Sequence, residues 1–214
     1  MNIENSVRNI IFDFGGVIIN ISHVNLENAF RELGVQNFEN LFNQAVQLEL
    51  FQNFETGAIS KEEFRGRARK LTNLNVSDEI FDRTWNRIIG DYPENRINLL
   101  KEISNNYAIF LFSNTNIIHY DYYIEKFKKE FGYDFPSLFR KTYWSFRMGK
   151  RKPDPDSFLE IIKNEKLMPD ETLFIDDSHQ NILAAERLGL KTIHIRDRID
   201  ITELFDDNYL LRNF

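Results

Sequence analysis

Three apolar segments of this chain break off at polar side chains, and no other feature restricts its fold as strongly. Arg8 to Phe14 is a β-branched and aromatic run interrupted by Asp13 and followed by the glycine pair Gly15-Gly16. Tyr107 to Phe112 ends at Ser113-Asn114, and Thr172 to Ile175 ends at Asp176-Asp177. Runs this short and this apolar suit strands that are buried on both faces. Lys141 to Phe146 and Lys191 to Ile195 read as two further strands. Helical patterns over Glu94–Ser104, Ile117–Glu130, Pro155–Lys166 and Gln180–Leu188 separate them. Alternation of this kind predicts a parallel sheet with helices on both faces.

The stretch from Val24 to about Ile89 departs from that rhythm. Asn25 to Leu33 stops at Gly34, and Phe38 to Phe54 continues with apolar positions three and four apart. Ser60-Lys61-Glu62-Glu63 has the form of a capping box, and Ser77-Asp78-Glu79 opens another helix with an acidic first turn. No strand pattern occurs there, and the block is too long for a simple crossover. The expected architecture is therefore an α/β, Rossmann-like core domain of residues 1–19 and 94–214, interrupted by a helical cap domain of residues 20–93.

In open parallel sheets, ligands bind beyond the carboxyl ends of the strands. Asp13, Ser113-Asn114 and Asp176-Asp177 should thus share one crevice. Each has a structural alternative. An Asp after a strand commonly caps a turn, and Ser113-Asn114 or Asp176-Asp177 could cap the helix that follows. Two adjacent carboxylates at the end of an apolar strand repel each other, and a divalent cation would relieve that. Arg147, Lys150, Arg151 and Lys152 cluster in an otherwise acidic chain, which suggests an anionic ligand nearby; a solvated basic loop is the competing explanation.

Composition narrows the partners. A formal net charge of -6 argues against nucleic acid or an anionic membrane surface. With no cysteine there is neither a disulfide framework nor a thiolate metal site. The start Met1-Asn2-Ile3-Glu4-Asn5 has neither the basic residues nor the apolar run of a secretory signal, so a cytoplasmic location is expected. Gly149-Lys150 has no glycine five residues upstream, which excludes a P-loop.

In order along the chain, these residues resemble the four motifs of the haloacid dehalogenase (HAD) superfamily. Ile10-Ile11-Phe12-Asp13-Phe14-Gly15-Gly16-Val17 looks like the first and Leu111-Phe112-Ser113-Asn114 the second. Lys152-Pro153-Asp154-Pro155 with Phe158 looks like the third, and Phe174-Ile175-Asp176-Asp177-Ser178 with Asn181 the fourth. Glu55-Thr56-Gly57-Ala58-Ile59-Ser60-Lys61-Glu62-Glu63-Phe64 resembles a recurring cap segment, and Ser113-Asn114-Thr115-Asn116 with the Gly15-Gly16 turn points to the branch of bacterial sugar-phosphate phosphatases that includes α-glucose-1-phosphate phosphatase. The resemblance implies a phosphomonoesterase acting on a small phosphorylated metabolite. Asp13 would attack phosphorus, and Mg²⁺ would be held by Asp13, the Gly15 carbonyl and Asp177, with Asp176 either a ligand or a support behind the ligands. Ser113 and the Asn114 N–H would bind phosphoryl oxygens, and Lys152 would neutralise charge.

One departure bears on the chemistry. Most members of the family carry a second Asp two residues after the nucleophile as general acid and base; here that position is Gly15. His119, with His23 after it, is the candidate substitute. A catalytically silent binding protein, a 2-haloacid dehalogenase and a phosphomutase are the competing functions. The pair Asp176-Asp177 counts against the dehalogenase, because it would repel a carboxylate substrate.

Overall fold

The computed structural model describes residues 7–36, 38, 45–196 and 199–212. Five parallel strands, β1 (Asn9–Phe12), β2 (Ala108–Ser113), β3 (Lys141–Trp144), β4 (Thr172–Asp176) and β5 (Lys191–His194), form one sheet in the order β3-β2-β1-β4-β5. Strand β1 lies at the centre, with Phe12 opposite Leu111 of β2 and Ile175 of β4. The sheet order reverses at β1, so the crevice expected at such a switch point opens above Asp13.

Successive side chains on a strand face opposite sides, and here both sides are apolar. Ile10, Phe12, Ile109, Leu111, Leu173 and Ile175 share one core with α5 (Glu94–Ile103) and α6 (Ile117–Phe131). Ile11, Phe110, Phe112 and Phe174 share a second core with α8 (Pro155–Glu165) and α9 (His179–Arg187). This two-sided burial is the physical reason for near-continuous apolar strands, and the Rossmann-like reading of the core holds.

Between β1 and β2 run α1 (His23–Glu32), α2 (Ala45–Glu55), α3 (Lys61–Thr72) and α4 (Asp78–Trp85). Ser60 and Ser77 cap α3 and α4 by accepting the N–H of Glu63 and Ile80. The predicted helix over 38–54 is described as a helix from Ala45; residues 37 and 39–44 lie outside the described residues. These helices bury a third core of Leu26, Phe30, Phe54, Phe64, Phe81 and Trp85, joined by Ile118 of α6. The Phe54 and Phe64 rings stack within it at 4.0 Å. The chain enters and leaves the helical segment through paired backbone: Ser22 N–H donates to the Ile88 carbonyl, Gly90 N–H to Asn20 and Asn20 N–H to Asp91.

Strand β3 is shorter than expected. The predicted strand over 141–146 ends at Trp144, and Ser145–Met148 makes a single helical turn, α7. Ser145 turns inward: its hydroxyl accepts the Thr115 N–H and donates to the Thr115 carbonyl, which ties this turn to the loop after β2. Among the described residues, no helix is long and apolar enough to cross a membrane.

Candidate active site

Asp13 follows β1, where its N–H donates to the Ile175 carbonyl and so continues the pairing with β4. The turn after it is anchored by Phe14, whose ring packs at 4.7 Å from Tyr123 and 5.0 Å from Phe135. At Gly16 the chain takes φ +76°, and a Cβ there would lie 2.3 Å from Asp177 Oδ2. Gly16 therefore supplies the left-handed turn and leaves room for the Asp177 carboxylate beside it. Gly15 is different. A Cβ would meet only Ile21, at an ordinary 3.5 Å, so the backbone does not exclude a side chain at that position.

Lys152 reaches the centre from the loop before α8 and is 1% exposed. Its ammonium donates to Asp13 Oδ1 at 2.5 Å, to Asp176 Oδ2 at 2.7 Å and to the Phe112 carbonyl at 2.8 Å. All three of its protons are thus used, the arrangement a buried ammonium requires. Asn114 clamps the backbone of Lys152: its Nδ2 donates to the Lys152 carbonyl and its Oδ1 accepts the Lys152 N–H, each at 2.9 Å. Asp176 also accepts from the Ser178 N–H at 2.8 Å and from the Asn181 amide at 3.0 Å.

Neither capping alternative accounts for these residues. Helix α6 is capped by Asn116, which accepts the His119 N–H, and not by Ser113 or Asn114. Helix α9 has Ser178 at its N-cap position, with no side-chain hydrogen bond closing it. The carboxylates of Asp13, Asp176 and Asp177 offer oxygens that all lie within 4.8 Å of one another. Burial pushes the Asp13 carboxyl up to about 7; Lys152 opposes this, while Asp176 and Asp177 add to it. Asp177 is likewise raised, by burial and then by Asp176. Lys152 stays above its ordinary value: burial opposes its charge, but Asp13 and Asp176 more than offset that. Three converging carboxylates, two of them reluctant to ionise together, form an all-oxygen donor set suited to a hard cation such as Mg²⁺.

The basic cluster expected around residues 147–152 disperses. Arg147 lies over the Tyr120 ring, Lys150 pairs with Glu160 and Arg151 pairs with Glu55; only Lys152 enters the centre. Two contributors stand outside the site residues expected from the sequence, although Glu55 opens the recurring cap segment. Glu55 arrives from α2. His194, at the end of β5, accepts from Arg196 Nε at Nδ1, so its Nε2–H donates to the Asp177 carbonyl at 2.9 Å. Both depend on which elements become neighbours.

A cavity of about 390 Å³ lies over the site. Gly15, Ser113, Asn114, Asn116 and Glu55 line it beside Ile19, Ile21, Leu26, Phe51 and Trp85. His119 also lines it, but as a neutral ring. It stacks on Trp85 at 5.2 Å and its Nδ1 bonds to Asn86 Oδ1 at 2.8 Å; burial pushes its pKa down to about 3. A neutral imidazole of such low basicity has no proton to give near pH 7, which weighs against His119 as the acid that replaces position 15. It should instead mark acid stability. The unfolded chain protonates His119 near 6.5 and the folded chain resists, so stability is present above pH 6.5 and is lost as pH falls below it. Discounted for the ring's partial exposure, the loss between pH 7 and pH 5 should be about 1 kcal/mol. Denaturant unfolding of wild type and His119→Gln at the two pH values checks this: the raised Asp13 and Asp177 carboxyls act with the opposite sign in both proteins, so the difference between the two pH dependences is the His119 contribution.

A carboxylate at the tip of the central strand, a buried lysine against it and two more acids beside it define a hydrolase site built for an anionic group. The chain belongs to the haloacid dehalogenase-like hydrolases, whose family model matches residues 10–195. It is 29% identical to a D-ribitol-5-phosphate phosphatase of Bacteroides thetaiotaomicron over 91% of this chain and 94% of that protein. It is 26% identical to a sesquiterpene phosphatase of Aspergillus oryzae over 88% of this chain and 90% of that protein. A HAD-family enzyme of B. thetaiotaomicron, solved with magnesium and inorganic phosphate, superimposes with TM-score 0.87 at 33% identity, covering 94% of this chain and 100% of that one.

Proposed function

We propose that the protein is a Mg²⁺-dependent phosphomonoesterase that hydrolyses a small phosphorylated metabolite through an aspartyl-phosphate on Asp13. The observation that carries the reading is the Lys152 ammonium bonded to Asp13 and Asp176 together, beside Asp177. A carboxylate and a phosphate dianion must approach one another, and in a buried crevice their repulsion is the main barrier to positioning. Lys152 offsets that repulsion. Asp13, Asp176, Asp177 and the Gly15 carbonyl would hold Mg²⁺, which when bound supplies further charge neutralisation. Ser113 and the N–H of Asn114 orient the phosphoryl oxygens. Residues 20–93 act as a cap over this centre, moving on the paired backbone at 20–22 and 88–91 and excluding water when closed.

The proposed leaving group is a sugar or polyol, in keeping with the D-ribitol-5-phosphate phosphatase relative and with the polar groups at the cavity floor. A second class has its own support. The aromatic and aliphatic wall of Phe51, Trp85, Ile21 and Leu26 suits an apolar phosphate, and one relative is a sesquiterpene phosphatase. Phosphate release over a panel of polyol, sugar, prenyl and aryl phosphates, with and without Mg²⁺, separates the two. Release that is unaffected by removing the metal would count against the whole reading.

The metal should also stabilise the fold. At 100 times its dissociation constant a ligand contributes about 2.7 kcal/mol, or roughly 5–10 °C in a chain of this size. Because Asp13 and Asp177 hold their protons above the usual range, protons compete with the metal at low pH. The shift in melting temperature with Mg²⁺ should therefore be larger at pH 8 than at pH 5.

A further inference from the structure

We infer that Glu55, carried into the cavity by the helical segment, is the proton carrier that position 15 lacks. The inference rests on the phosphatase reading above. With Gly15 contributing only backbone, some other group must protonate the leaving oxygen and later take a proton from water. The cavity offers four ionisable side chains: His23, Glu55, His119 and Tyr123. His119 is held neutral, as described. The Tyr123 hydroxyl is buried against Thr115, and its pKa is raised far above 10. His23 is exposed at the rim. Glu55 is half-buried and is the one of the four that carries a carboxyl group.

Its position is built from both sides. Glu55 is the last residue of α2, and Thr56 Oγ1 donates to the Gln52 carbonyl to close that helix end. Gly57 follows at φ +69° and lies so close to the Phe146 carbonyl that a Cβ would stand 2.4 Å from it. The turn bearing Glu55 is thus docked on the same loop region, residues 146–152, that delivers Lys152. Glu55 Oε2 meets Arg151 Nε at 2.9 Å, one residue from Lys152. Burial raises the Glu55 carboxyl, while Arg151 and then Lys152 pull it down. A phosphate dianion arriving in the cavity competes for Arg151 and favours the protonated acid.

The proton account closes. In the first step Asp13 attacks phosphorus, the bond from phosphorus to the leaving oxygen breaks, and that oxygen takes the Glu55 proton. In the second, water attacks the aspartyl-phosphate and gives a proton to the Glu55 carboxylate. The bond from phosphorus to Asp13 breaks with its electron pair returning to Asp13. The sum is phosphomonoester plus water to alcohol plus inorganic phosphate, with Glu55 again protonated.

The competing role for Glu55 is a latch that merely holds the helical segment closed through Arg151. Leaving-group dependence distinguishes the two. Single-turnover phosphorylation of Glu55→Gln should fall about 10²- to 10⁴-fold with D-ribitol 5-phosphate, whose alkoxide needs a proton. With p-nitrophenyl phosphate, whose leaving group does not, the fall should be under about tenfold, followed by slow breakdown of the phosphoenzyme. Glu55→Asp, which keeps the acid, should recover part of the alkyl activity and serves as the check should the Gln variant fold poorly. Arg151→Gln breaks the latch but keeps the carboxyl, and should slow both substrates alike. Equal losses with both substrates in Glu55→Gln would overturn the assignment. Wild-type protein that turns over neither substrate overturns the phosphatase reading itself, a result distinct from equal losses in the variant.

Discussion

Asp13→Asn should lose phosphate release by roughly 10³-fold or more while remaining folded, because in the proposed reaction it removes the carboxylate oxygen that accepts the phosphoryl group. The substitution keeps the shape of the side chain and one oxygen near Lys152. It also removes a carboxyl that burial already pushes up to about 7, so the folded state loses little by its neutralisation. A melting temperature within a few degrees of wild type, measured without metal, should accompany the loss of turnover. The decisive measurement is trapping of phosphoenzyme after rapid mixing with substrate: wild type should label and Asp13→Asn should not. Turnover retained above about a tenth of wild type would place the nucleophile elsewhere.

Lys152→Met should damage both stability and activity. It takes the Lys152 donor from the Phe112 carbonyl and from Asp176 Oδ2, which keeps the Asn181 amide at 3.1 Å, and sets Asp13 and Asp176 against each other unscreened. Removing one partner of a buried ion pair costs about 3–5 kcal/mol. The value here should fall at the low end, because Asp13 can take up a proton near neutral pH. About 3 kcal/mol corresponds to a melting temperature lower by roughly 6–12 °C in a chain of this size. Turnover should fall by about 10²- to 10³-fold even where the variant is fully folded, as expected when a preorganised positive charge is lost. Thermal unfolding and kcat measured well below the variant's melting temperature separate the two effects. Because the charge pair is internal, added salt should restore little of either.

Much of this could be read along the chain, for reasons of period and punctuation. Strand β1 was legible because Ile10, Ile11 and Phe12 are all apolar, which a strand covered on both faces demands. The helix starts at Ser60 and Ser77 were legible because capping is a local interaction, complete within four residues. The strand pattern over 141–146 runs past the end of β3 because Ser145 and Phe146 look like strand residues. What ends the strand is a bond between Ser145 and Thr115, thirty positions away. The basic cluster misled for the same reason. Adjacent charges at 147–152 face different neighbours once the loop is folded, and only Lys152 is drawn between two carboxylates.

Position 15 shows where the boundary falls. The sequence by itself determined that Asp13 stands at a strand tip, that Ser113, Asp176 and Asp177 end neighbouring strands, and that the usual second acid is missing. Each of these follows from local pattern and strand order. Only the tertiary structure decided that His119 is stacked, bonded and neutral, that Asn114 clamps the backbone of Lys152, and that Glu55 reaches the same cavity from α2. Those facts depend on burial and on distances across 24 to 139 residues of chain, such as the two contacts of Lys152 with Asp176 and Asp13. The protonation of a side chain is set by its surroundings, and those exist only after the chain has folded.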